Sequence, residues 1–225
     1  ADVDITVVSL DGLSLDWLSR TWNYPHPEDV LETLLVLRAL AKPMRLKLAV
    51  NTVIQPGAVA EARHVLDLAC DLGLWFSPVP QNRGPAALGE LHDDPAYLEL
   101  TRLILARKAR GHRINGSARL NRRLLGSEPL VCRNTLKPHV DHDGTLFWPC
   151  KAAVAVEPLR ADVLAFDHVD TLWDHCARQA DPAGFASRCG ARCNWAQNYS
   201  TDAYAHGLVH PLSLVAEVKE FLGAA

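Results

Sequence analysis

Along residues 1–80, apolar positions follow two alternating rhythms. Ile5-Thr-Val-Val-Ser-Leu10, Arg45 to Ile54 and Leu74-Trp-Phe-Ser-Pro-Val79 are short apolar runs rich in β-branched and aromatic residues, and they read as buried strands. Between them the spacing lengthens to a helical period. Pro27-Glu-Asp opens one helix carrying Val30, Leu31, Leu34, Leu35, Leu37 and Leu40, with acidic residues in the first turn where the helix dipole favours them. Ala58 to Leu72 is a second, with Val59, Val65, Leu66 and Ala69 inward and Gly73 as its stop. A third runs from Pro95 to about Ala109. Strands alternating with helices at this pitch predict βαβ units and a parallel sheet.

Beyond Gly111 the character changes. Cysteines, histidines and tryptophans appear, and helical periodicity fades until a final helix expected near Leu212 to Leu222. We place a domain boundary near residue 125. In the second part, Asp143-Gly144 between two short apolar runs predicts a hairpin over Val140 to Trp148. That hairpin brings Cys150 back toward the segment holding Cys132.

Composition narrows the classes. The 225 residues are 48% hydrophobic and 22% charged, with a formal net charge of −3, so no basic nucleic-acid surface is expected. Apolar runs are too short for a membrane span. The one basic stretch, Arg107 to Arg113 followed by Arg119, Arg122 and Arg123, lacks interleaved aromatics and reads as a solvated helix end and loop. The chain shows no signal segment, and a chain this long buries a core without covalent staples. A reducing, cytoplasmic setting is expected, where clustered cysteines mean metal or redox chemistry rather than disulfides.

Of six cysteines, Cys132, Cys150, Cys189 and Cys193 form the informative set. Four thiolates are what a tetrahedral zinc site or an iron–sulfur cluster needs. Cys189-Gly-Ala-Arg-Cys193 is too polar and turn-like for core packing. Cys70 sits on the inward face of a helix, and Cys176 reads as helical and core-facing or as a substitute ligand. His139 and His142 flank the hairpin turn and read as exposed. Trp148 and Trp195, beside cysteines of the set, are expected to shield it from water.

A sheet that begins abruptly and is followed by a cysteine module resembles the radical S-adenosylmethionine (SAM) enzymes. Ser9-Leu-Asp-Gly12 resembles the motif at the end of that family's fourth barrel strand. Val50 to Ile54 and Leu74 to Val79 resemble its fifth and sixth strands, and the cysteines resemble those of twitch or SPASM auxiliary domains. The resemblance implies an α/β fold: a partial (β/α) barrel with a parallel sheet over residues 1–125, then a small α+β cysteine-rich auxiliary-cluster domain over 126–225. It implies that Ser9, Arg20 and Asn51 hold the ribose and carboxylate of SAM, that Val79 lies along the adenine, and that Asp11 faces substrate. It implies an auxiliary [4Fe-4S] cluster on Cys132, Cys150, Cys189 and Cys193. A ferredoxin or flavodoxin would donate electrons, and the substrate would be a small molecule or a peptide.

One departure is plain. The family's Cys-x3-Cys-x2-Cys is absent: the chain's Cys-x3-Cys is Cys189/Cys193, and Ala196 stands where a third cysteine would fall. The resemblance therefore implies roughly ninety further upstream residues, at about thirty per βα unit, carrying a second, SAM-binding cluster. The alternative class is a non-catalytic binding module stabilised by zinc or a cluster.

Overall fold

The computed structural model describes residues 5–130, 132, 139–151, 157–189, 193–212 and 215. Its first part is a three-stranded parallel sheet in sequential order, β1 (Ile5–Ser9), β2 (Lys47–Ile54) and β3 (Trp75–Pro80). Helices α1 (Leu15–Trp22) and α2 (Glu28–Ala41) connect β1 to β2, and α3 (Val59–Leu72) connects β2 to β3. Past β3 come a short hairpin, β4 (Asn82–Arg83) and β5 (Ala86–Ala87), then α4 (Gly89–His92) and α5 (Pro95–Ala109). The chain then returns beside β3: the Phe76 amide donates to the Arg113 carbonyl at 2.8 Å, and the Asn115 amide to the Phe76 carbonyl at 2.8 Å. Strand order advances without reversal across these three strands, compatible with a partial α/β fold.

The two faces of this sheet differ. Val8, Leu48, Val50, Ile54 and Phe76 pack under α3 and α5, against Val65, Leu66, Tyr97 and Ile104. Alternation along the strands puts Ile5, Val7, Ser9, Lys47, Ala49, Asn51, Trp75, Ser77 and Val79 on the opposite face. Ile5 and Val7 are about half exposed there. β1 is the edge strand, and among the described residues nothing pairs with its outer side. On α2, Leu35, Val36 and Leu40 also remain exposed.

The predicted strands and three long helices are present, each end within about two residues. The short α1 and α6 (Ala118–Leu125) lie where no helix was expected. Each begins at a serine whose hydroxyl accepts an amide of its first turn, Ser14 from Trp17 and Ser117 from Leu120.

In the later part, the predicted hairpin forms from β6 (His139–Val140) and β7 (Thr145–Trp148), with Gly144 at φ 82° supplying the left-handed turn residue. β8 (Leu159–Asp162) extends it into an antiparallel sheet. The expectation of fading helicity is corrected: α7 (Val169–Gln179), α8 (Pro182–Cys189) and α9 (Ala196–Val209) occupy this region. Leu212 and Val215 are helical, and the rest of the predicted final helix lies outside the described residues.

The basic stretch is the end of α5 with the loop and short helix after it, where Arg110, His112, Arg113, Arg119 and Arg122 are exposed as expected; the other three cations are engaged within the fold. Arg107 pairs with Asp67, the Lys108 ammonium donates to the Ile114 carbonyl at 3.0 Å, and Arg123 pairs with Asp202 of α9. Arg123 is 14% exposed and also donates to the Pro129 carbonyl at 2.8 Å. It thus ties α6 to the last described helix. Asp202→Ala should lower unfolding free energy by about 1.5–3 kcal/mol in urea, because it strips a partly buried guanidinium of the nearer of its two carboxylate partners, leaving Glu128 at 3.5 Å. A change within the roughly 0.5 kcal/mol of ordinary surface substitutions would show that this pair does not join the two parts.

Candidate functional site

Parallel pairing sets Ser9 opposite Asn51 and Asn51 opposite Ser77. The Asn115 amide donates to the Ser77 hydroxyl at 3.0 Å, so a row of four polar side chains crosses the C-terminal half of the sheet on its open face. Val79 is two residues beyond Ser77 on the same face. A cavity of about 240 Å³ opens there between the sheet, α6 and α9, lined among others by Ser77, Val79, Asn115, Ser200 and Tyr204. Ser9 and Asn51 come from the residues singled out in sequence. Ser77 and Asn115 did not, although the period-two spacing around Val79 could have indicated Ser77.

Arg20 lies in the last turn of α1, exposed and without a polar partner among the described residues. Asp11, expected to face substrate, follows the end of β1 and bonds within the fold. It is 8% exposed; Oδ1 accepts the Val53 amide at 2.8 Å and Oδ2 accepts the Trp22 indole N–H at 3.1 Å. Both oxygens are engaged within the fold, so this carboxylate locks the turn after β1 onto β2. Glu61 completes the lock, accepting the Leu13 and Ser14 amides at 2.7 and 3.0 Å. Gly12 leaves room beside it: a Cβ there would meet the Glu61 carboxylate at 2.6 Å, so that side chain would have to shift.

A larger cleft, about 770 Å³, sits at the opposite end of the strands and is lined by Arg38, Lys42, Arg45, Lys47 and Arg113. Two of these cations cap a helix: Arg38 and Arg113 donate to the Leu72 and Gly73 carbonyls at the end of α3. It lies away from the polar row.

The cysteines form the second centre. Cys150 follows β7, is 3% exposed, and packs with Phe185 of α8 and with Cys189. Burial pushes the Cys189 thiol up, with smaller contributions from the charges of Cys193 and Cys132. Burial likewise raises Cys193, which Cys132 also raises, while the Trp195 backbone N–H and the Asn198 side-chain amide act in the other direction. The Asn198 amide nitrogen stands 3.0 Å from the Cys193 sulfur. Cys132 is exposed. Cys150, in turn, packs against Cys189. Among the described residues no three His, Cys, Asp or Glu side chains are drawn close enough to enclose a metal ion.

The remaining candidates have other places. Cys70 is half-buried against the main core, and Cys176 is fully buried with Leu146 and Trp148. Trp148 is edge-on to Trp173 at 4.5 Å, whereas Trp195 faces His139 at 6.4 Å. His142 is exposed and His139 half-buried. Cys193 is anchored to the first part of the chain: it bridges Ala86 of β5, and the next amide, Asn194, donates to the Pro85 carbonyl at 2.6 Å.

Comparison with solved structures finds two crystal structures of Streptococcus suis SuiB, one of them bound to S-adenosylmethionine. Identities are 13% and 14%, and TM-scores 0.47 and 0.48. The matches cover 83% of this chain but only 45% and 44% of SuiB, so the chain spans less than half the length of the structures it matches. No family model matches the chain, and no curated protein does. Among the described residues no helix is long and apolar enough to cross a membrane.

The cysteine placements predict an alkylation order for the metal-free protein. Iodoacetamide should modify Cys132 first and Cys150 and Cys176 last, read by peptide mass spectrometry. Rapid labelling of Cys150 in folded protein would contradict its place under Phe185.

Proposed function

We propose that this chain is the C-terminal part of a radical SAM enzyme, combining part of the SAM-binding barrel with an auxiliary [4Fe-4S] site, and that it acts on a small molecule rather than a peptide. The observation that carries the proposal is the pairing of Ser9 with Asn51 on the sheet face opposite α3 and α5, at the strand ends where barrels of this kind bind ligands. The sequence motif around Ser9 and the four-cysteine set add to it.

When bound, SAM with a reduced cluster would supply radical chemistry for hydrogen-atom abstraction from substrate. This chain's residues would bind and orient. The Ser9 hydroxyl and Asn51 amide offer hydrogen bonds to the ribose, and Val79 an apolar wall for the adenine. Arg20 offers a forked pair of donors suited to a carboxylate. Asp11 and Glu61 would act from beneath by holding the turn from Asp11 to Ser14. Cys132, Cys150, Cys189 and Cys193 would hold the auxiliary cluster, and a ferredoxin- or flavodoxin-like donor would reduce the enzyme.

The unpaired edge of β1 and the exposed apolar residues beside it, Ile5 and Val7 on the sheet and Leu35 and Val36 on α2, support a preceding set of βα units. We expect those units to carry the Cys-x3-Cys-x2-Cys motif. A four-thiol set also suits structural zinc, which defines the alternative, a non-catalytic module.

Metal analysis separates these readings. Protein reconstituted without oxygen should be brown, with about four iron and four sulfide on this part of the chain. Serine at any of the four cysteines should lower iron content, while serine at Cys70 should leave it unchanged. Colourless protein with stoichiometric zinc would overturn the cluster assignment.

The SAM site is tested separately. In the complete enzyme, Arg20→Ala should weaken SAM binding by about 1.5–3 kcal/mol, the loss of a hydrogen bond to a charged group, and leave the auxiliary iron intact. Unchanged affinity by equilibrium dialysis would remove Arg20 from the site.

A further inference from the structure

We propose that the cleft at the N-terminal ends of β2 and β3 binds a phosphate-bearing small molecule, through the phosphoanhydride chain of a nucleotide or of free polyphosphate. The cleft is about 770 Å³, within the roughly 300–1,000 Å³ of sites for compact ligands. Arg38 of α2, Lys42 and Arg45 of the turn after it, Lys47 of β2 and Arg113 beside β3 line it, and among the described residues no Asp or Glu does. The chain holds 26 acidic and 23 basic residues, so a cleft with five cations and no carboxylate is not a by-product of composition. Like charges gathered in this way repel one another, and an anion seated among them offsets that cost. The cleft is set apart from the polar row: Lys47 precedes Asn51 by four residues along β2, roughly 13 Å.

The cations differ in what holds them. Arg38 Nε donates to the Leu72 carbonyl at 3.1 Å, and Arg113 Nη1 donates to the Gly73 carbonyl at 3.0 Å. One N–H of each guanidinium is thereby fixed on the end of α3, and the rest of each fork is left for an anion. The same two cations meet the negative end of that helix, which would otherwise oppose an anion. Lys42 and Arg45 are exposed, with no carboxylate in ion-pair range among the described residues. Lys47 Nζ stands 3.9 Å from the Trp75 ring centroid. Burial, and secondarily the Lys108 charge, lower the Lys47 pKa, and a bound anion would raise it again. Leu46, Leu48 and Leu74 add apolar lining. The cations stand on separate segments, so a chain of charged groups reaches several of them where a single carboxylate would not, and guanidinium forks match phosphate oxygens.

The test is isothermal titration of the whole chain with tripolyphosphate, ATP and adenosine in physiological salt, where diffuse attraction is screened. Tripolyphosphate and ATP should bind and adenosine should not. Equal affinities for the two anions support free polyphosphate as the ligand, and tighter ATP supports a nucleotide. Adenosine binding as tightly as ATP, or no binding of either anion, would overturn the proposal. Arg45→Glu should weaken tripolyphosphate binding by roughly tenfold or more. Arg102→Glu makes the same charge change at an exposed position of α5 outside the cleft and should leave binding near the wild-type value. Equal losses in the two variants would show attraction to the whole surface and overturn the site. If Arg45→Glu does not fold, hydrogen exchange of the wild-type protein decides. Slower exchange over residues 41–48 with tripolyphosphate supports the site, and unchanged exchange there overturns it.

Discussion

The parallel register between β1, β2 and β3 is the constraint on which the candidate SAM site depends. It sets Ser9, Asn51 and Ser77 side by side and sends their neighbours Val8, Val50 and Phe76 into the core. A slip of one residue would exchange these sets, exposing the apolar side chains and burying the polar ones, so hydrophobic burial under α3 and α5 enforces the polar row. Two further bonds fix β1 on β2 at the C-terminal end. The Thr52 hydroxyl donates to the Leu10 carbonyl at 2.8 Å, and Asp11 takes the Val53 amide.

The cysteine centre depends on contacts of another kind. Its cysteines come from position 132, the hairpin end, α8 and the segment before α9, and among the described residues no one core encloses them. What joins them to the sheet is a set of backbone and amide bonds from Cys193 and Asn194 to residues 82–87, with Arg123–Asp202 on the other side of α9. A metal ion or cluster bound by four thiolates adds folding free energy directly. That fits a region whose buried clusters are small, Leu146 with Trp148 and Cys176 in one, Cys150 with Phe185 in another.

Strong periodicity made much of this legible in sequence. α2, α3 and α5 run fourteen or fifteen residues each, and β2 and β3 are bounded by clear breaks. The Asp143-Gly144 turn marked its own hairpin. The eight-residue α1 and α6 are amphipathic and open on the serine caps Ser14 and Ser117, a signal that two turns make easy to pass over. Partners distant in the chain were beyond reach: nothing local to Arg123 points to Asp202, nothing local to Asp11 to Val53. The bonds by which Asp11 holds the turn after β1 could not be read from its sequence neighbours. Asn198 gave no pattern of its own, since only the folded chain sets its amide against Cys193.

The most direct test of the account is a crystal structure of the anaerobically reconstituted protein with anomalous difference maps above and below the iron edge. The account predicts a strong iron peak bounded by Cys132, Cys150, Cys189 and Cys193, with the Asn198 amide against Cys193. A zinc peak at that place, or iron held by other residues, would contradict it.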